Sequence, residues 1–446
     1  MAQATLEFSP ATAVDLAAAP AAAGRAQPAP MAGAGAAGTV DRSGYAIGWD
    51  HAHHRVTPPL CHLDDHSPVR QGWAAGRARF GARTLRPTAA ARQWLALRLQ
   101  AWQHGQAFED MQVNPAFLAR IDTDRCPVRR VPLLLRSGTA DDATVVRLNA
   151  QAAYAAGNLA VVSAPVAAAL ASNGWAQAQA IADRLAEIGR GAGDPSTGVV
   201  AGGPSTGTGE AMQVAGLDAT AWQRVAVLTS FTTPLPHAQA ALLALRVLPP
   251  NRVRVINPVQ ALQVVLTQQF SAAGYARRLL GLAALMPTNE TRQAFQIFMH
   301  TVLARRLGVG PTPTPQALRH ALEDTWADPL VNRRWQRLAL RLDAAGCEQL
   351  LQRAARRHLV VGGSRWVSAE SATEGWALGL AAARSTGCAG PAAVTAIATT
   401  TATAIATATD AAIDAGADAQ APAIGAALAA ARPGNTRSRG SQKLAS

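Results

Sequence analysis

Between Thr88 and Gln103 the apolar side chains fall at Trp94, Leu95, Leu97, Leu99 and Trp102, with Arg92 and Arg98 between them. That spacing predicts a helix over 88–103, buried on more than one side, with its two arginines turned outward. Phe295, Phe298, Met299, Val302 and Leu303 recur at helical spacing and predict a second strong helix over 294–307, led in by Thr288, Thr291 and Arg292. Other starts are marked by a capping side chain, often with proline at the first helical position. Asn114-Pro115, Asp218, Asn257-Pro258, Thr314-Pro315, Asp328-Pro329 and Asp343 predict helices over 115–121, 222–228, 259–270, 315–324, 330–342 and 344–358. Between the two halves lie two short β-branched runs. Residues 144–149 (TVVRLN) and 160–163 (AVVS) predict strands, the second leading into a helix.

Composition divides the chain into six stretches. Residues 1–40 are rich in Ala, Pro and Gly and predict disorder; 41–119 form a helical N-terminal region. Residues 120–190 hold the two strands and a following helix. In 191–214 Gly, Ser and Thr dominate and PSTG occurs at 195–198 and again at 204–207, predicting a linker. Residues 215–385 form a C-terminal helical domain, and 386–446 an Ala/Thr-rich tail expected to be disordered. The fold class expected is therefore mainly α, with helical domains, one small ββα unit and long disordered termini.

The chain has 446 residues, with 41 Lys+Arg against 28 Asp+Glu, a formal net charge of +13. Only Lys443 among the basic residues is lysine, so part of that balance reads as compositional bias. Cys61, Cys126, Cys347 and Cys388 stand far apart with no CxxC pair, which fits a reducing, cytoplasmic setting better than a disulfide framework. Residues 225–245, 255–276 and 385–409 carry no Asp, Glu, Lys or Arg. Their prolines, glutamines and threonines make them poor membrane spans, and no membrane partner is expected. No P-loop, GxGxxG, GxSxG or HExxH string appears.

One segment resembles a known family. Cys126-Pro127, the strand with Thr144, Arg147, Leu148 and Asn149, the turn with Tyr154, Gly157, Asn158 and Leu159, and Ser163 follow the order of the HNH endonuclease family, in its Cys-Pro / Asp-Arg / Gly-Asn variant. The resemblance covers residues about 120–172 only. It implies a β-hairpin and helix that grip one divalent metal, which steadies charge developing on a phosphate. The scaffold residues match, but the chemical ones do not. Val146 stands where the metal-binding Asp belongs, no Asn or His ligand occurs near Ala167, and Leu170 replaces the Lys. Valine offers Mg²⁺ no oxygen. Asp141 and Asp142 lie just upstream as displaced substitutes. Each retained residue also has an ordinary reading: Gly157-Asn158 as a positive-φ turn, Tyr154 and Leu159 as core. Strand alternation pairs Val146 with Leu148 and Val145 with Arg147, so one buried face cannot take both Val145 and Leu148.

Two further clusters bear on function. His51, His53, His54, His62 and His66 lie near Cys61, Asp64 and Asp65, a set of zinc-ligand types without a recognised spacing, which reads better as exposed loop histidines. Arg77, Arg79, Arg83 and Arg86 interleave with Trp73 and Phe80, a pattern suited to nucleic-acid phosphates and bases; its plain alternative is a solvated face. More arginines, from Arg305 to Arg357, spread over the C-terminal helices. The leading expectation is a nucleic-acid-associated protein, partnered by DNA or RNA, on a catalytically degenerate HNH-like scaffold with no cofactor. A helical protein–protein adaptor is the alternative from another class. An active nuclease with displaced ligands, using Mg²⁺ or Mn²⁺, is the third.

Overall fold

The computed structural model describes residues 36–135, 137–191, 212–272, 274–308, 314–360 and 369–378, so the expectations for 1–35, for the centre of the linker and for the tail lie outside it. The N-terminal region holds α1 (Ala36–His53), α2 (Pro68–Phe80), α3 (Ala89–Gln103) and α4 (Pro115–Ile121). A hairpin of β1 (Ala143–Arg147) and β2 (Leu159–Ser163) follows and runs straight into α5 (Ala164–Ser172) and then α6 (Trp175–Gly191). The rest is helical: α7 (Ala219–Ser230), α8 (His237–Leu242), α9 (Pro258–Gln269), α10 (Tyr275–Ala283), α11 (Asn289–Leu307), α12 (Pro315–Thr325), α13 (Pro329–Ala339), α14 (Ala344–Arg356) and the short α15 (Ala369–Ala372). Among the described residues no helix is long and apolar enough to cross a membrane.

The capping side chains start most helices where the sequence places them. Thr88, Asn114, Asp218, Thr314 and Asp343 each accept a hydrogen bond from the backbone N–H three residues on, and Asp328 from the N–H two residues on. Thr288 and Thr291 form a reciprocal capping box at the head of α11. Asn257 departs from this. It does not cap α9; its amide donates to Ser230 O at 2.8 Å and Thr233 O at 3.0 Å, and its Oδ1 accepts from Leu235 N at 3.0 Å, fastening α9 to the end of α7.

α9 is buried on every side, with α8, α10 and α14 packed around it. That position accounts for the charge-free stretch: a helix without a solvent face has no place for an ion. Beside it Phe298, Trp326 and Trp335 pack with ring centroids 5.6–5.7 Å apart. The Trp335 indole donates to Ala241 O and that of Trp326 to Thr267 Oγ1, so neither buried ring leaves an N–H unpaired.

Three expectations are corrected. Residues 36–40, placed in the disordered stretch, are already helical in α1. Arg98 points inward: it is buried, pairs with Asp50 and lies over the Trp94 ring. The 191–214 boundary does not separate one core from another. A single cluster runs from Cys126, Val162 and Leu185 on one side to Trp222, Phe295 and Leu350 on the other, and all described residues belong to a single unit.

The hairpin itself settles the conflict over Val145 and Leu148, because both its faces are covered. Val145, Leu159 and Val161 join the N-terminal cluster with Trp94, Leu95 and Phe117. Leu148, Ala160 and Val162 join the main core, with Val146 packed against it.

α1 and α2 cross with their backbones almost touching. A methyl group on Gly48 would sit 1.9 Å from Val69 O, and one on Gly72 the same distance from Tyr45 O. Gly44, Gly48, Gly72 and Gly76 repeat at four-residue spacing on the two helices, the small-residue pattern that permits such an approach.

Candidate nucleic-acid interface

Arg77 and Arg79 occupy the last turn of α2, which Gly81 ends at φ +51°. The chain then folds back along α1: Arg83 N donates to Phe80 O and Leu85 N to His53 O at 2.7 Å, which fixes the loop carrying Arg83 and Arg86. All four arginines are exposed, and none forms an ion pair with a carboxylate among the described residues. The Arg77 guanidinium lies 4.9 Å from the centre of the half-buried Trp73 ring. A cation held against an aromatic face is the element that phosphate-tracking and base-stacking surfaces share. The favourable end of the α2 dipole accounts for some of the placement of Arg77 and Arg79, though not for Arg83 and Arg86.

The residues singled out around the hairpin gather at its two ends. At one end Cys126 Sγ accepts from Ser163 N at 3.5 Å and Ser163 Oγ at 3.4 Å, while Thr144 Oγ1 reaches Asp142 O at 3.5 Å. At the other, Asn158 is fully buried and ties the loop together. Its Oδ1 accepts from Asn149 N at 2.8 Å, and its amide donates to Asn149 O and Ala153 O, each at 3.0 Å. Asn149 reaches on to Thr232 O at 2.9 Å. Arg147 donates to the carbonyls of Ala150 and Ala152, both at 2.9 Å, with its guanidinium 4.7 Å from the Tyr154 ring centre. Gly157 has φ +91°, and a methyl group there would lie 2.4 Å from the Arg254 side chain, so both conformation and space demand glycine.

These contacts are structural. Val146 faces Ala160 across the hairpin and packs on the main core. Asp141 pairs with Arg129 at 2.6 Å. Asp142 accepts from Ser137 N, Ser137 Oγ and Gly138 N at 2.6–2.8 Å, and the Ser137 hydrogen bonds hold its carboxyl below the usual carboxylate range. Among the described residues no group of three or more His, Cys, Asp or Glu side chains is arranged to hold a metal ion.

Of the histidine cluster only His66 is exposed in a turn; the other four are buried or half-buried. His51 is buried in α1 with neither ring nitrogen hydrogen-bonded, and burial pushes it down to about 4. His53 stacks on Phe80 with centroids 4.4 Å apart, His54 meets Trp94 edge-on, and His62 meets Trp102. Cys61 and His66 are exposed, and Asp65 pairs with Arg70. His53, His54 and His62 thus serve as packing pieces for three different aromatic rings.

A cluster that sequence reasoning missed lies behind the Cys126 turn. Glu323, 2% exposed, accepts from Arg319 Nε at 3.1 Å, Arg130 Nη2 at 3.0 Å and Leu248 N at 3.0 Å. Asp324 takes both arms of Arg130 at 2.8 Å and Arg224 at 3.3 Å. Burial raises the Asp324 carboxyl, but Arg130 and Arg224 outweigh it and hold the group below its ordinary value. Burial, with repulsion from Arg130, lowers Arg224. No local signal announces this cluster, because Arg130 and Asp324 are 194 residues apart. Searches against protein-family models, curated proteins and solved structures find no match to this chain.

Proposed function

We propose that the protein binds nucleic acid through Arg77, Arg79, Arg83 and Arg86, on a body whose hairpin and α5 derive from an HNH-like scaffold without a working metal site. The observation that carries the reading is the set of four exposed guanidinium groups over ten residues with no acidic partner among the described residues, one of them laid on Trp73. Phosphate neutralisation supplies most non-specific affinity for nucleic acid, and arginine supplies it while stacking on rings. The ββα order, the Asn158 knot and the Cys126–Ser163 contact support descent from the scaffold; the half-buried Val146, packed against the core with no oxygen to offer a metal, supports the loss of chemistry.

The test is fluorescence anisotropy with labelled duplex DNA and single-stranded RNA, titrated between about 50 and 200 mM salt. Binding is expected to weaken steeply with salt. Replacing the four arginines by serine lowers affinity and flattens the salt slope by about 0.9 for each duplex phosphate no longer neutralised. Salt-insensitive binding, or full affinity in the serine variant, sinks the proposal and favours the adaptor reading. Incubation with Mg²⁺ or Mn²⁺ leaves plasmid DNA intact; nicking that disappears with Asp141→Ala or Asp142→Ala overturns the idea of a scaffold without chemistry.

A further inference from the structure

The Arg305–Asp328 pair joins the end of α11 to the start of α13, so the two helices run antiparallel. Towards the other end they leave a groove of about 440 Å³, lined by Gln293, Ala294 and Ile297 of α11 and by Arg334, Arg337 and Arg341. The three arginines recur at a spacing of three and four residues, which stacks them on one face of α13 and its C-terminal turn. No carboxylate lines the groove. None of the three pairs with an acid among the described residues, and Arg334 Nε is buried with no hydrogen-bond partner. Glu290, one turn before Gln293, is exposed and makes no ion pair with them. Elsewhere in this fold inward arginines are met by acids, as Arg98 by Asp50 and Arg130 by Glu323 and Asp324, or by neutral acceptors, as Arg147 by the Ala150 and Ala152 carbonyls. Gathering three guanidinium groups around one concavity without an acid leaves both repulsion and unspent donors.

We infer that this groove binds a phosphate-bearing ligand carrying two or more negative charges, held by the forked donors of Arg334, Arg337 and Arg341 with the Gln293 amide alongside. Planar guanidinium forks match phosphate oxygens two at a time, and three cations fit a di- or polyphosphate better than one carboxylate. The site shares no residue with Arg77–Arg86, so it stands or falls apart from that interface.

The test is thermal unfolding and calorimetric titration of the full chain with sodium pyrophosphate, against sodium chloride at matched ionic strength. Pyrophosphate raises the midpoint with its concentration, as a ligand of the native state must, and titrates at one site per chain. In Arg337→Ser/Arg341→Ser, both exposed side chains, affinity falls about 100-fold, roughly tenfold for each charge-assisted hydrogen bond removed. The variant with serine at 77, 79, 83 and 86 keeps the full effect. No heat and no midpoint shift in the native protein overturn the inference without recourse to any variant. An undiminished effect in the double variant, or its loss in the quadruple one, overturns it as well. Competition between pyrophosphate and a labelled DNA strand on the quadruple variant identifies the source of the phosphate. Displacement means that the groove takes a backbone phosphate, and retention means a small free phosphate ligand.

Discussion

The surroundings of α12 and the flank of α1 both gather arginine, and they treat it in opposite ways. Around α12 the guanidinium groups turn inward and are matched: Arg130, Arg224 and Arg319 surround Glu323 and Asp324 and fasten the Cys126 turn to the bundle. Beside α1, Arg77, Arg79, Arg83 and Arg86 turn outward and are matched by nothing acidic among the described residues. The means of cohesion differ too. The bundle closes on large rings, Phe298, Trp326 and Trp335, whereas α1 and α2 close by bringing peptide groups together at Gly48 and Gly72. Arginine content therefore says little about ligand binding until each guanidinium is placed against its neighbours.

The sharpest way to break this contrast is Glu323→Ala. Removing the acid leaves Arg130 and Arg319 short of their partner and Leu248 N without an acceptor, and should cost about 3–5 kcal/mol in urea unfolding. A loss no larger than that of a surface substitution means that the paired arginines are as free as the exposed ones.

Next in size is a pH effect confined to the N-terminal helices. Burial lowers His51 from 6.5 to about 4 in the folded protein, so between those values the unfolded chain binds the extra proton and the native state does not. Stability is then complete above the unfolded value of 6.5 and falls as pH drops toward 4, by about 3 kcal/mol at most. His51→Leu should flatten that section of the stability–pH curve; an unchanged slope assigns it to other groups. Gly48→Ala comes third, at about 1–3 kcal/mol, because its methyl must push Val69 O away and drive the helices apart. Smallest are single replacements of Arg77, Arg79, Arg83 or Arg86 by serine, each expected within about 0.5 kcal/mol by thermal melting. A larger drop at any of them marks a structural arginine and removes it from the interface.

Helix starts were legible because their signals are local: a capping oxygen, then proline, as at Asn114-Pro115 and Thr314-Pro315. The strands were legible from two β-branched runs and the Gly157-Asn158 turn between them. What stayed hidden depends on contacts between distant segments. Arg98 looks like any outward arginine until Asp50 is brought beside it, and Asn257 reads as a cap until the Leu235 N–H takes its Oδ1 and the end of α7 takes its amide. The start of α1 at Ala36 is hidden for another reason, since a run of Ala and Gly has no polar–apolar contrast. Of the candidate sites, the exposed arginine stretch was legible. The arginine groove was not, because one helix supplies the charge and another the opposite wall.

The double-faced burial of the hairpin has a consequence for how its strands find their alignment. In a half-exposed sheet, slipping by one residue is forbidden because apolar side chains would land in water. Here both sides are apolar, and Val145 and Val146 could trade places at little hydrophobic cost. Arg147 forbids the exchange. On its present side it finds the Ala150 and Ala152 carbonyls and the face of Tyr154; on the other it would enter the main core as a bare charge. The one ionised residue of the strand thus acts as its register mark.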